Sequence, residues 1–214
     1  METRPLILVC GGGHCKSVIE AAESAGFIIR GILDVEERVG SDVLGYKIIG
    51  TDADLRKYTA ECDFVVTLGF IKDPTVRCRI IDKVEAAGCR LATVIASTAH
   101  VSRHASIGEG TVVLHHASIN AGATIGRHCI INTAANVEHD AVVGDGTHIS
   151  TGVMLNGESH VGKNAFIGSG TTVAQCVKIA DGAVVGAGSV VVRDITIPGV
   201  YAGNPARKIE NRKQ

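Results

Sequence analysis

The most constraining feature of this chain is an apolar residue that returns every six positions from Val101 to Val191, sixteen times without interruption. A small or β-branched residue stands two positions before each of them, as Ala135 does before Val137. Self-similarity at a fixed short period is the signature of a solenoid, and a hexapeptide period is typical of a β-helix. Three hexapeptides make one triangular coil, so we expect residues eighteen positions apart to stack about 4.8 Å from each other.

The first 94 residues follow a different pattern, in which short apolar runs alternate with segments of helical character. The predicted strands lie within 6–10, 27–33 and 63–68, and helices are expected over 16–25 and from 73 to about 87. This alternation predicts a small, parallel, Rossmann-like α/β sheet. We therefore divide the chain into an α/β domain over 1–94, a left-handed parallel β-helix over 95–197 and a C-terminal tail over 198–214. Ile197 is the last residue on the six-residue grid.

Composition narrows the classes of partner and compartment. The net charge is −1, and the absence of a Lys/Arg run argues against nucleic acid and membranes as partners. We find no signal peptide and no apolar stretch of the roughly 18 residues that a transmembrane helix needs. The seven cysteines form no Cys-x-x-Cys pair, so we interpret them as reduced thiols of a cytoplasmic protein.

Two short segments carry chemistry. Gly11-Gly12-Gly13-His14 follows the first predicted strand and precedes a helix, where backbone N–H groups can approach a phosphate. His139 next to Asp140 is a candidate general base, because an imidazole titrates near neutral pH and a carboxylate favours its protonated form. Neighbours on a strand face opposite ways, so this pair can form only at a corner of the coil. A surface histidine and a solvated turn aspartate are the alternatives.

Four segments give the chain its resemblance to the hexapeptide acyltransferases, and most closely to the bacterial nucleotide-sugar N-acetyltransferases of the PglD and NeuD group. They are Gly11-Gly12-Gly13-His14, Asn136-Val137-Glu138-His139-Asp140, Gly144-Asp145-Gly146-Thr147-His148 and Gly203-Asn204-Pro205-Ala206. The resemblance implies an enzyme that transfers acetyl from acetyl-CoA to the 4-amino group of a nucleotide-linked amino-dideoxy sugar. We expect direct transfer in a ternary complex, since no sequence feature indicates a cysteine nucleophile, and we expect no metal. We expect a homotrimer, because packing of the flat coil faces around a threefold axis would bury more surface.

The same resemblance assigns roles to individual residues. His139 acts as base with Asp140 beside it, and Gly157, eighteen positions after His139, is the candidate oxyanion donor. Acetyl-CoA contacts are implied at His148, Ser169 and Ala187, and sugar-nucleotide contacts at Gly12, Gly13, His14, Asp34 and Gly69. His148 lies half a coil from His139, so if both contact one acetyl-CoA, His148 comes from a neighbouring subunit.

Several alternatives stay open. A sialic acid O-acetyltransferase shares the fold and the histidine, and a non-catalytic nucleotide-sugar-binding scaffold would share the N-terminal pocket. The zinc-binding γ-class carbonic anhydrases also resemble this solenoid, but their histidine pair has four residues between its members, a spacing that this chain lacks. The sequence leaves open whether the nucleotide is UDP, GDP or dTDP, which sugar epimer and glycan pathway are involved, and whether Asp140 reaches His139.

Overall fold

A six-stranded sheet forms the N-terminal domain in the computed structural model, which describes residues 4–209. Its strands are β1 (Leu6–Val9), β2 (Ile29–Leu33), β3 (Asp42–Val43), β4 (Tyr46–Gly50), β5 (Asp63–Val66) and β6 (Arg90–Leu91), and its α-helices are α1 (Gly13–Ser24), α2 (Leu55–Tyr58) and α3 (Thr75–Ala86). The strand order is β3-β4-β2-β1-β5-β6, with every pair parallel except β3 and β4. The predicted α/β domain is thereby confirmed.

Local sequence signals explain where these elements begin and end. All residues of β1 and β5 are buried, as expected for strands of a parallel sheet that is covered on both faces. Asp73 accepts a hydrogen bond from the Thr75 N–H at 2.9 Å at the start of α3, and Gly88, with φ of +76°, follows its end. Helix α1 begins at Gly13, earlier than expected, because the glycine turn itself opens the helix.

The second half of the chain is built from two-residue strands at six-residue intervals. They are β7 (Val94–Ile95), β8 (His100–Val101), β9 (Ser106–Ile107), β10 (Val112–Val113), β11 (Ser118–Ile119), β12 (Thr124–Ile125), β13 (Ile130–Ile131), β14 (Asn136–Val137), β15 (Val142–Val143), β16 (His148–Ile149), β17 (Met154–Leu155), β18 (His160–Val161), β19 (Phe166–Ile167), β20 (Thr172–Val173), β21 (Lys178–Ile179), β22 (Val184–Val185) and β23 (Val190–Val191). Each pairs in parallel with the third strand along the chain, and this places Val112 beside Ile130. The predicted stacking at eighteen-residue intervals and the β-helix are therefore confirmed.

The interior of the coil holds the residues that define the period. Ile131, Leu155 and Val173 are fully buried, and so are small residues of the second series such as Ala135. These side chains belong to one hydrophobic cluster that runs the length of the solenoid. Burial of these side chains stabilises the fold by about 0.8 kcal/mol for each CH₂ group. Because this burial is repeated in every coil, it is the main contribution to the stability of the solenoid.

The end of the solenoid differs from the predicted one. Ile197 is 53% exposed, and Ile195 instead pairs with Ile179. The last turn is thus shorter than the others, and next to it Asp194 accepts a hydrogen bond from the Lys178 N–H at 2.9 Å. The expected polar tail adds β24 (Val200–Ala202), which pairs with β22, and β25 (Arg207–Lys208). Residues 210–214 of that tail lie outside the described residues.

The α/β domain packs against the outer face of one solenoid sheet. Helix α1 contacts β7, and Val112 joins a hydrophobic cluster with the α1 side of the domain. Farther along the same face, Phe70 packs against Phe166 and Val184. This packing places the segment that follows β5 directly over the coil, where the two domains form a cavity.

We predict that Leu155→Ala lowers the free energy of unfolding by about 2–5 kcal/mol, because it opens a cavity inside a closely packed coil. Met154→Ala is the matched control on the same strand, since Met154 is 40% exposed and its truncation leaves no internal cavity. Chemical denaturation followed by circular dichroism measures both changes. Equal loss of stability in the two variants would contradict this account of the core.

Candidate functional site

The glycine turn after β1 presents an uncapped helix N-terminus. Gly12 is the N-cap residue of α1, no side chain caps it, and the first turn of the helix carries no acidic residue. A Cβ atom added at Gly12 or Gly13 would meet nothing within 4 Å, so both backbones face open space. Free N–H groups and the positive end of the helix dipole make this turn suitable for an anion such as a phosphate.

Asp34 holds this turn in place. Its carboxylate accepts hydrogen bonds from the N–H of Gly11 and the N–H of Val35, both at 2.9 Å, and forms an ion pair with Arg38. It also lines a cavity of about 440 Å³ at the ends of β1 and β2. The sequence predicts Asp34 as a ribose or base contact. In the structure, its carboxylate binds these groups of the chain itself. Nothing in the sequence pattern indicates the ion pair with Arg38.

A second cavity of about 400 Å³ lies between the two domains and brings together most of the predicted sugar-nucleotide residues. Gly12, Gly13, His14 and Gly69 line it from the α/β domain. His148, which is predicted to contact CoA, lines it from the solenoid, together with Asn132. The glycine turn lies between the two cavities, because Cys10 lines the first and Gly12 the second.

Two neutral histidines meet in this second cavity. The ring centroids of His14 and His148 are 6.2 Å apart. Burial lowers the pKa of His14 to about 3, and the charges of His148 and Arg77 act in the same direction. Burial likewise lowers the pKa of His148 to about 4. Both imidazoles are therefore uncharged at neutral pH, and the His14 Nε2 atom is buried with no hydrogen-bond partner among residues 4–209.

The ring nitrogens of His148 both have partners inside the chain. Nδ1 lies 3.1 Å from the carbonyl oxygen of Phe70, so Nδ1 carries the proton and donates it. Nε2 lies 3.1 Å from the Asn132 amide nitrogen, which donates to it. The predicted CoA contact at His148 stays a prediction, but its ring here bridges the solenoid and the α/β domain.

His139 and Asp140 form the pair whose contact the sequence leaves open. His139 Nδ1 lies 3.0 Å from Asp140 Oδ2, and the two residues occupy a corner of the coil, where Asp140 has φ of +59°. The hydrogen bond to Asp140 is the main cause of a raised pKa at His139, and Glu138 and Glu158 add to it. A carboxylate can only accept, so Nδ1 carries the proton and Nε2 has the free lone pair.

Gly157 lies directly over the imidazole of His139. A Cβ atom at this position would stand 2.6 Å from His139 Nε2, so any side chain here would displace the ring. At another corner, the N–H groups of Arg127 and Lys163 are each capped by an aspartate eighteen positions later. The equivalent of that aspartate above Gly157 is Gln175, and the Gly157 N–H donates to no group in the described part of the chain.

Ser169 and Ala187 stack on a different corner, the one that follows β19 and β22. The Gly188 N–H donates to the Ser169 carbonyl at 2.8 Å, which joins the two positions, and Ser169 also hydrogen bonds to Ser150. Both residues are exposed. One chain therefore does not bring these predicted CoA residues to the His139 corner, and their role stays a prediction.

The six-residue period and the short motifs give no indication of the residues that join the two domains. Phe70 and Phe166 pack with ring centroids 6.3 Å apart, and Phe166 lies 5.2 Å from His148. A signal was present in the composition, since the chain has only four Phe and two of them meet here. Phe166 also occupies an outward position of the coil, where an aromatic residue implies a covering partner.

Two further findings concern metal and membrane. Within residues 4–209, no three His, Cys, Asp or Glu side chains converge in a way that could bind a metal ion. None of the helices in this range has the length and apolar character needed to cross a bilayer.

Comparisons with known proteins agree with this architecture. Residues 5–84 match the PglD N-terminal domain, and residues 158–193 match the bacterial transferase hexapeptide (six repeats). The chain is 34% identical over 113 residues to an uncharacterized protein of Acanthamoeba polyphaga mimivirus, and this alignment covers 51% of the chain but only 21% of the viral protein.

Solved structures are similar over nearly the full chain. The acetyltransferase domain of PglB from Neisseria gonorrhoeae is 34% identical with a TM-score of 0.88, covering 96% of this chain and 100% of that one. PerB from Caulobacter crescentus, solved with CoA and GDP-perosamine, is 33% identical with a TM-score of 0.89, covering 96% and 97% of the two chains. With this identity across both domains, the chain belongs to the PglD-like hexapeptide-repeat family of nucleotide-sugar N-acetyltransferases.

Proposed function

We propose that this protein transfers the acetyl group of acetyl-CoA to the 4-amino group of a nucleotide-linked amino-dideoxy sugar. The observation that carries the proposal is the His139 imidazole, whose Nδ1 is held by Asp140 and whose Nε2 lies free beneath Gly157. Similar proteins support the substrate classes, because PerB was solved with CoA and GDP-perosamine and the PglB domain with acetyl coenzyme A.

The free Nε2 of His139 suits general-base catalysis. As the sugar amine attacks the thioester carbonyl, a C–N bond forms and the amine proton passes to Nε2. The C–S bond then breaks, and the CoA thiolate leaves and takes a proton from the imidazolium. The products are an acetamido sugar and CoA, and both substrates are bound together throughout. Asp140 stabilises the imidazolium that forms between these steps.

The N–H of Gly157 suits the oxyanion that develops on the thioester oxygen. It lies at the same corner as His139 and has no acceptor in the described residues, so a substrate oxygen meets no internal competitor. A fixed backbone donor at such a position is typically worth about 2.7–4 kcal/mol of transition-state stabilisation.

The two cavities suit the parts of a sugar nucleotide. A diphosphate fits the uncapped start of α1 at Gly12 and Gly13, between the cavities. The base and ribose then lie in the cavity lined by Asp34, and the sugar lies toward His14 and Gly69.

A second subunit completes the site in this proposal. The side chain of His139 is 61% exposed and does not line either cavity, so within one chain the base faces solvent. A homotrimer that places the His139 corner of one subunit at the His14 cavity of the next would supply the amine to the base and exclude water. The same packing would bring the Ser169 and Ala187 corner of another subunit near the acetyl-CoA.

We expect His139→Ala to lower kcat by about 10²- to 10⁴-fold, because general-base catalysis contributes that range. Acetyl-CoA should still bind, since the orientation of the two substrates does not require the imidazole. His160→Ala is the control, as His160 is an exposed histidine on the same solenoid. The assay is release of CoA thiol with GDP-, UDP- and dTDP-linked 4-amino sugars, and with sialic acid as the rival acceptor. Turnover by His139→Ala above about a third of the wild-type kcat would remove the base from the mechanism.

The pH dependence tests the role of Asp140. The base works in its neutral form, so kcat should rise as pH rises through the pKa of His139, which Asp140 holds above its ordinary value. Asp140→Asn removes the main cause of the raised pKa, and the rise in kcat should therefore move to lower pH. An unchanged midpoint, or one at higher pH, would show that Asp140 does not tune this base.

Mixed oligomers test the shared site. His139→Ala and His14→Ala should each be nearly inactive alone, because each removes one half of every site. In co-expressed mixtures, some sites combine an intact His139 corner with an intact His14 cavity, and activity should return to a substantial fraction of wild type. Sedimentation equilibrium on the same samples measures the oligomer. Continued inactivity of mixed trimers would place both residues of a site on one chain.

A further inference from the structure

Residues 68–70, which we call the strap, follow β5 and form one wall of the cavity between the domains. A Cβ atom added to Gly69 would lie 3.7 Å from the Cβ and Cγ atoms of His14, so the strap passes close to His14 with no side chain between them. The carbonyl of Phe70 accepts the hydrogen bond from His148 Nδ1 at 3.1 Å. The strap therefore holds His148 by a hydrogen bond and borders His14.

A single buried guanidinium holds the strap from behind. Arg77 of α3 is 1% exposed and donates from one terminal nitrogen to the Leu68 carbonyl at 2.6 Å and to the Val66 carbonyl at 3.4 Å. Its other terminal nitrogen donates to the carbonyl of His128, on the solenoid, at 2.6 Å. One side chain thus joins the end of β5, the strap and a corner of the coil.

Arg77 has no acidic partner in the described residues, although buried cations are usually paired with carboxylates. Its Nε is also buried without a hydrogen-bond partner in this part of the chain. Burial lowers the pKa of the guanidinium to about 10, which leaves it charged at neutral pH. An unpaired buried charge is costly, but an apolar side chain in its place would leave the carbonyls of Val66, Leu68 and His128 without this donor.

The planar fork of arginine accounts for the choice of residue. Its terminal nitrogens diverge, so one group can reach carbonyls on two different domains, whereas a lysine presents one compact ammonium. The geometry points to Arg77 as a positioning residue of the sugar-nucleotide site, which holds the strap against His14 and His148 without contacting substrate itself. This inference rests on the proposed function, because it assigns the cavity to the sugar nucleotide.

The test compares Arg77→Met and Arg77→Lys with Arg79→Met, a matched change at an exposed arginine of the same helix. In Arg77→Met, KM and the calorimetric Kd for the sugar nucleotide should rise about tenfold or more, because the strap loses the hydrogen bonds that hold it at the cavity. The rise in the KM for acetyl-CoA should be clearly smaller, because only His148 of its predicted contacts touches the strap, while Ser169 and Ala187 lie on another corner of the coil. Arg77→Lys should fall between wild type and Arg77→Met, and Arg79→Met should match wild type.

Equal weakening of both substrates, or no weakening in folded Arg77 variants, would overturn the inference. If Arg77→Met shows no cooperative thermal transition, Arg77→Lys decides by the same ratio of sugar-nucleotide to acetyl-CoA affinity. Lack of turnover by the wild type would speak against the proposed function alone, because binding of GDP, UDP and dTDP to wild type and variants still reads out the strap. If the wild type and the Arg77 variants bind these nucleotides equally, or if the wild type binds none of them, the proposed positioning role of Arg77 is overturned.

Discussion

The backbone ladder between coils is the interaction on which the rest of this structure depends. From β7 to β23, each strand pairs with the third strand along the chain, so its residues are fixed above those eighteen positions before them. Corners therefore stack in columns, and a residue's position in the sequence determines its column. Gly157 stands over His139 for this reason alone, and the close approach of the Gly157 backbone to the imidazole requires a residue without a side chain.

The second determinant is the docking of the α/β domain on one face of the coil. Outward side chains that would otherwise meet water, such as Val112 and Phe166, become an internal surface. The same docking buries His14 against His148 and removes the charge from both rings. These two sites consequently have opposite effects on histidine. Burial in the cavity lowers the pKa of His14 and His148, while the hydrogen bond to Asp140 at the exposed corner raises the pKa of His139.

Regular features were predictable from the sequence, and contacts between distant residues were not. The six-residue period predicts the coil, its register and the stacking of Gly157 on His139, because these follow from backbone geometry. The same period fails at Ile197, because the last turn is shorter and Ile195 takes the paired position beside Ile179. It is also silent on Arg77, Asn132 and Phe70, whose roles arise only when the domains meet. Within the α/β domain, the sequence pattern gives no indication that Asp34 pairs with Gly11 and Arg38.

The absence of a capping carboxylate above Gly157 has a consequence for how a site arises on such a scaffold. The backbone N–H groups of Arg127 and Lys163 each donate a hydrogen bond to an aspartate of the next coil. Gln175 occupies the position from which such an aspartate would accept a hydrogen bond from the Gly157 N–H. Such unoccupied donors are common on this coil, because the N–H groups of Ala121, Ser169 and Ala187 at equivalent positions also donate to no group in the described residues. The reactive corner is therefore distinguished by His139, which stands beside a donor that the scaffold already offers. In a repeat built of equivalent corners, chemistry can begin where one side chain is added next to such a donor, and the coil around it remains unchanged.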